Sequence, residues 1–119
     1  MTDAQMQAIG QKLLTQLWQA DGFAVQVSSH TNPDPSALVF MARQRGDTGR
    51  SARAGTVYVS AQALNDAGEG AALEGLDYLL TRVRMETLPA CPMTLKAPVL
   101  AVRDSEGMRV MREGDSLPF

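Results

Sequence analysis

The feature that most constrains this fold is the stretch of residues 55–86, where a short β-rich run leads directly into a long helix-forming segment. Residues 56–59 are β-branched or aromatic, a composition typical of a strand. Residues 61–85 carry apolar side chains at helical spacing, and Leu73, Leu76, Leu80 and Val83 form the predicted apolar stripe. The sequence therefore predicts a strand followed by a helix, with the other elements packed around this pair.

Two glycines interrupt the helix-forming segment. Gly68 and Gly70 lie close together within it, and glycine is unfavourable inside a helix. We therefore predict a short first helix near Ala61–Ala67 and a main helix from about Ala71. Ser60, directly before the first turn, is of the residue type that caps a helix N-terminus.

The remaining patterns complete the predicted fold. Thr2 and Gln5 have the spacing of a capping box, so the first helix is expected to begin there and to stop near Gly22. Apolar runs predict five strands, at residues 23–28, 37–42, 56–59, 99–102 and 108–111. The order is α-β-β-β-α-β-β, which predicts an α+β fold: a two-layer antiparallel sheet with two helices on one face.

Length and composition limit the possible classes of protein. The chain of 119 residues fits one domain, residues 1–119, with a loose tail from about residue 114. Its single cysteine excludes an intramolecular disulfide and a cysteine-based metal cage, and we expect no cofactor. Without a long apolar run or a signal sequence, a cytoplasmic protein with no membrane partner is expected. Nine arginines against two lysines, with many alanines, suggest a bacterial or phage genome.

Charged residues are distributed unevenly along the chain, with an excess of positive charge in one arginine-rich segment. Residues 43–53 contain four arginines and one aspartate, so the net charge of this segment is +3 and that of the rest of the chain is −5. Guanidinium groups in a glycine-containing loop could clamp phosphates or a carboxylate-rich partner. They could equally be solvated and pair with acids elsewhere. The candidate binding residues are Arg43, Arg45, Arg50 and Arg53.

His30 and Cys91 are the other candidates for chemistry. His30 is the only histidine and is a further candidate for ligand or partner binding, although a surface hydrogen-bonding role is the plainer interpretation. A triad with Ser29 or Ser60 and Asp34 has no supporting motif. Cys91 is either a reactive thiol or a small apolar residue that fills space. No catalytic or metal-binding residue is predicted.

Two families have a similar order of elements. The opening α-β-β-β-α order resembles double-stranded RNA-binding domains, which hold phosphates with lysines at the start of their second helix. Residues 60–66 contain no base and one acid, so the similarity is confined to topology. The full order resembles bacterial secretion chaperones, and that resemblance implies a dimer. Their usual final helix has no counterpart in residues 114–119, which include Pro118.

The leading hypothesis is a small protein-binding module: an adaptor, chaperone or inhibitor. Residues 37–42 are apolar on both faces of the predicted strand, so we expect another copy or a protein partner to cover the second face. The alternative is nucleic-acid or phosphate-ligand binding through the arginine-rich loop 43–53, which predicts affinity that falls steeply with salt. A small enzyme is the third hypothesis.

Overall fold

The helices and strands follow one another in the order that the sequence predicts. The computed structural model describes residues 2–17, 22–31, 36–45, 51–92, 96–112 and 115. The elements are α1 (Asp3–Leu17), β1 (Phe23–His30), β2 (Ala37–Gln44), β3 (Ser51–Ser60), α2 (Ala61–Ala67), α3 (Glu69–Arg84), β4 (Ala90–Pro92), β5 (Val99–Asp104) and β6 (Gly107–Val110). The α+β class and the break between α2 and α3 are confirmed. The short strand β4 is not among the five predicted strands and lies between α3 and β5.

The sheet has the strand order β1-β2-β3-β5-β6, and β4 pairs with the beginning of β3. Most neighbours are antiparallel, but β3 and β5 are parallel. The predicted purely antiparallel sheet is wrong at this pair. The chain crosses over through α2 and α3 after β3, so β5 enters the sheet in the same direction as β3.

One face of the sheet packs against the helices. The helix α1 lies on β1 and β2, and α3 lies on β2, β3 and β5. Leu38, Phe40, Val57 and Val59 point into this layer and are fully buried. The two-layer arrangement is therefore confirmed, with a core built from alternate strand residues and one side of each long helix.

The buried side of α3 is rotated slightly from the prediction. Leu76, Leu80 and Val83 are buried as expected, but Leu73 is 42% exposed. Ala72 takes the inward position instead. Buried pairs recur every four residues along α3, at residues 71–72, 75–76 and 79–80, and Leu73 lies just outside this stripe.

Both predicted helix caps are confirmed. The backbone N–H of Gln5 donates to Thr2 Oγ1 at 3.2 Å, and the Thr2 N–H donates to Gln5 Oε1 at 2.8 Å. At α2, the Ala63 N–H donates to Ser60 Oγ at 3.0 Å. Each cap satisfies backbone donors that the first helical turn leaves without carbonyl partners. The predicted loose tail from about residue 114 lies outside the described residues, apart from Asp115.

Candidate functional site

The helix-free face of the sheet carries an open concave surface. Side chains alternate between faces along a strand. Phe40 and Ala42 belong to the core under the helices, so Val39, Met41 and Arg43 point to the opposite face. The same alternation places polar residues of β1 and β3 beside them.

Two rows of side chains form the floor of this face. Strand register aligns Gln26 of β1 with Met41 of β2 and, in turn, with Thr56 of β3. The next row consists of Ser28, Val39 and Tyr58. Each row has an apolar residue at its centre and polar residues on both sides, so the floor is apolar along β2 and polar along its margins.

These rows line an open groove of about 410 Å³. Its lining residues are Gln26, Ser28, Val39, Met41, Arg43, Thr56, Tyr58, Lys96 and Ala97. The segment before β5 forms the far wall, where Thr56 Oγ1 donates to the Ala97 carbonyl at 3.4 Å and Thr56 N–H donates to the Pro98 carbonyl at 2.9 Å. The volume falls within the range of roughly 300–1,000 Å³ that is typical of ligand sites.

The groove is electropositive although the whole chain is not. Arg43 and Lys96 line it, and none of its lining residues is acidic. The Nη1 atom of Arg43 is shielded from solvent, whereas Lys96 is exposed. A partner with a carboxylate or another anionic group therefore complements this surface, because a basic concave site concentrates anions.

The structure separates the predicted arginine cluster. Arg43 lies in β2 and Arg53 in β3, so the segment 43–53 is not a continuous loop. Arg43 pairs in register with Ala54, so Arg53 points to the other face. There its Nη1 donates to the Leu88 carbonyl at 2.9 Å. One phosphate group cannot contact both side chains from one side of the sheet, and phosphate binding by this segment stays a prediction.

The other members of the cluster are not brought into the groove. Arg45 is exposed just after β2, and its backbone N–H donates to the Gly22 carbonyl at 2.7 Å. Arg50 lies outside the described residues, as does Asp47. Of the four predicted arginines, Arg43 is the one that the structure places in the groove lining.

His30 lies on the helix-free face at the end of β1. Its ring is 5.6 Å from that of Tyr58, with a tilted interplanar angle of 60°. This geometry is typical of a favourable aromatic contact. His30 is therefore next to the groove through Tyr58. Of the residues considered for a triad with His30, Ser60 caps α2 and Asp34 lies outside the described residues.

Cys91 occupies an interior position in β4. It is buried, and its Sγ lies 3.4 Å from the Lys96 carbonyl oxygen and 3.5 Å from that of Pro92. These contacts agree with the interpretation of Cys91 as a small residue that fills space. Within the described ranges, no group of three or more His, Cys, Asp or Glu residues is placed to hold a metal ion.

The sequence contains a partial signal for the groove. Gln26 and Ser28 alternate with apolar residues in β1, which places them together on one face. Lys96 offers no comparable signal, because its position beside the groove depends on where the chain re-enters the sheet. Thr56 and Tyr58 likewise alternate with Val57 and Val59, and the register with β2 shows which residues lie beside them.

Comparisons with models of protein families, with curated proteins and with solved structures found no match to this chain. The two resemblances described above therefore remain similarities in the order of elements. None of the helices in the part of the chain described by the structure is long and apolar enough to cross a membrane. The groove is thus interpreted from its own geometry.

Proposed function

We propose that this protein is a small cytoplasmic, bacterial protein-binding module that acts through the groove on the helix-free face. The observation that carries the proposal is the groove itself, with its apolar floor and polar margins. That distribution is similar to a protein interface, in which a hydrophobic centre is surrounded by a polar rim. An adaptor, a chaperone and an inhibitor would all use such a surface.

The side chains in the groove suit contact with another polypeptide. Methionine, tyrosine and arginine are enriched in protein interfaces, and the groove has one of each: Met41, Tyr58 and Arg43. Met41 can adapt its shape to a partner because its side chain is unbranched and flexible. Tyr58 offers an apolar ring with a hydroxyl group at its tip.

The apolar area available to a partner is smaller than the sequence suggests. On the helix-free face, Ala37 is 0% exposed and Val39 is 8% exposed. The chain therefore already covers much of the second face of β2, and Met41 is the half-buried apolar residue that remains. The homodimer expected from the sequence stays a proposal, to be tested by sedimentation over a range of concentrations.

Filling the groove with a large side chain tests the proposed function. Ser28 lines the groove and is exposed, so Ser28→Trp should block it without disturbing the core. The matched control is Gln62→Trp, at an exposed position of α2 that does not line the groove. We expect tagged wild type and the control to recover the same protein from lysate at low and high salt. The groove variant should recover at least about tenfold less, because the indole ring would occupy space that the partner contacts.

A partner recovered equally by Ser28→Trp and by wild type would contradict the proposal. Recovery of nucleic acid at low salt alone would instead favour the phosphate-ligand hypothesis, because phosphate contacts weaken steeply as salt rises. In that case, the combined replacement of Arg43, Arg45, Arg50 and Arg53 by glutamine should abolish the recovery.

A further inference from the structure

The strand β1 forms one edge of the sheet. All of Phe23–His30 pairs with β2 in continuous antiparallel register, and no other described strand pairs with β1. Its 8 residues make it much longer than β6, the 4-residue strand at the opposite edge. A long edge strand presents a row of backbone groups that another polypeptide can pair with.

Register identifies which backbone groups face outward. The Arg45 N–H donates to the Gly22 carbonyl, which makes these two opposing residues a hydrogen-bonded pair. In an antiparallel ladder, such pairs alternate with pairs that do not exchange hydrogen bonds. Gln26 and Ser28 therefore pair with β2, whereas the N–H and C=O groups of Val25 and Val27 point away from it.

The composition of β1 does not protect this edge. In natural proteins, lysine, proline, an inward-pointing charge or a bulge commonly prevents an edge strand from pairing with another chain. The residues Phe23–His30 include no proline, lysine, arginine or acid, and their pairing with β2 has no register shift. The edge β6, in contrast, is short and carries Arg109, whose Nη2 is 2.8 Å from Asp104 Oδ2.

The charge beside β1 indicates what kind of strand fits there. On the helix-free face, the described residues of β1, β2 and β3 include Arg43 and no acid. Arg43 is separated from the outer edge by Ala24, its register partner in β1. The alanine methyl group is short, so a long side chain on an added strand can reach across it to the guanidinium. The five N–H donors of a guanidinium allow it to pair with more than one acceptor.

We propose that an extended acidic segment of a protein partner adds to the sheet as a strand beside β1. This inference rests on the proposed function and identifies the chemistry of the partner. Backbone hydrogen bonds to Val25 and Val27 would provide affinity, as in other cases of β-strand addition. An acidic side chain beyond Ala24 pairs with Arg43, and the next side chains on that face lie at the mouth of the groove beside Gln26 and Ser28.

A second copy of the chain is a poorer occupant of this edge. The strand β1 of another copy has no acidic residue, so β1–β1 pairing would bring no carboxylate from that strand to Arg43. Pairing between copies would also place the two basic faces in one continuous sheet. Like charges at an interface disfavour association. An acidic partner strand avoids this cost.

Two capped peptides matched to the 8 residues of β1 test the inference. In one peptide glutamate alternates with valine, and in the other lysine replaces each glutamate. Binding to the full-length protein is followed by amide chemical shifts at low salt. We expect the glutamate peptide to bind at millimolar or better concentration and about tenfold more tightly than the lysine peptide, because attraction replaces repulsion near Arg43.

Three variants separate the contribution of the Arg43 charge to peptide binding from that of backbone pairing with β1. Arg43→Gln should remove most of the difference between the peptides, whereas Arg84→Gln, which removes the same charge from an exposed position of α3, should preserve it. Val25→Pro should weaken both peptides, because proline removes an outward N–H but no hydrogen bond to β2. In wild type, the glutamate peptide should slow amide exchange at Val25 and Val27, a readout that does not depend on the folding of any variant.

Equal affinities for the two peptides, or no binding of the glutamate peptide, would overturn the inference. Shifts of groove residues with no slowing of exchange at Val25 and Val27 would also overturn strand addition. That last result would leave the proposed function standing, because the groove would still be occupied. Loss of partner binding in Ser28→Trp remains the separate test of the groove.

Discussion

Replacing Phe40 with alanine is expected to destabilise the fold by about 3–5 kcal/mol. Phe40 is 0% exposed and lies in β2, between Val27 and Val57 in register. Its ring belongs to the core layer that joins the sheet to the helices. Truncation removes buried apolar surface and leaves a cavity that a central strand can close only partly. Since a domain of this size is stable by about 5–15 kcal/mol, the loss is a large share of the total.

Urea unfolding of wild type and of Phe40→Ala measures this loss. The control is Leu73→Ala, because Leu73 is an apolar residue of α3 that is 42% exposed. The control should change the free energy of unfolding by no more than about 0.5 kcal/mol. A loss below about 1 kcal/mol for Phe40→Ala would show that this ring is not in a close-packed core.

Replacing Gly75 with leucine is expected to cost about 3 kcal/mol of stability. Gly75 is buried in α3 where the helix crosses β3. A Cβ atom added there would lie 2.6 Å from Val59 Cγ2 and 3.4 Å from Val57 Cγ1. Both neighbours are fully buried valines with stiff side chains, so α3 would have to move away from the sheet to admit a larger residue.

The matched control is another glycine of the same helix. A Cβ atom at Gly70 would meet nothing within 4 Å, so Gly70→Leu tests helix propensity without crowding. It should be neutral or stabilising by up to about 1 kcal/mol. Thermal or urea unfolding of both variants provides the comparison. Equal effects of the two substitutions would contradict the close approach of α3 to β3.

Local patterns in the sequence were sufficient to predict most of the fold. The capping residues Thr2 and Ser60 lie within three residues of their backbone partners, so their hydrogen bonds are encoded locally. The alternation in β1 and the apolar run in β2 likewise predict strands from neighbouring residues. The parallel pairing of β3 with β5 depends instead on the path of the chain over the sheet, which local patterns do not determine.

The candidate site was less predictable because it depends on the face of the sheet to which each strand residue points. It also depends on contacts between residues that are far apart in the sequence. Arg43 and Arg53 are close in sequence, yet the register of β2 with β3 sends them to opposite faces. The predicted strands end two residues early at β2 and begin five residues late at β3, which places both arginines in one loop. A shift of one residue in register reverses the face of every side chain. Lys96 joins the groove only because its segment lies against Thr56 of β3.

Amide hydrogen exchange in the free protein tests the central claim most directly, namely that the outer edge of β1 is open for pairing. If it is open, the amides of Val25 and Val27 exchange rapidly, while those of Gln26 and Ser28 are protected by β2. The pattern should not change with protein concentration. Strong protection of Val25 and Val27 in the free protein would contradict the claim, because their N–H groups would already have a partner.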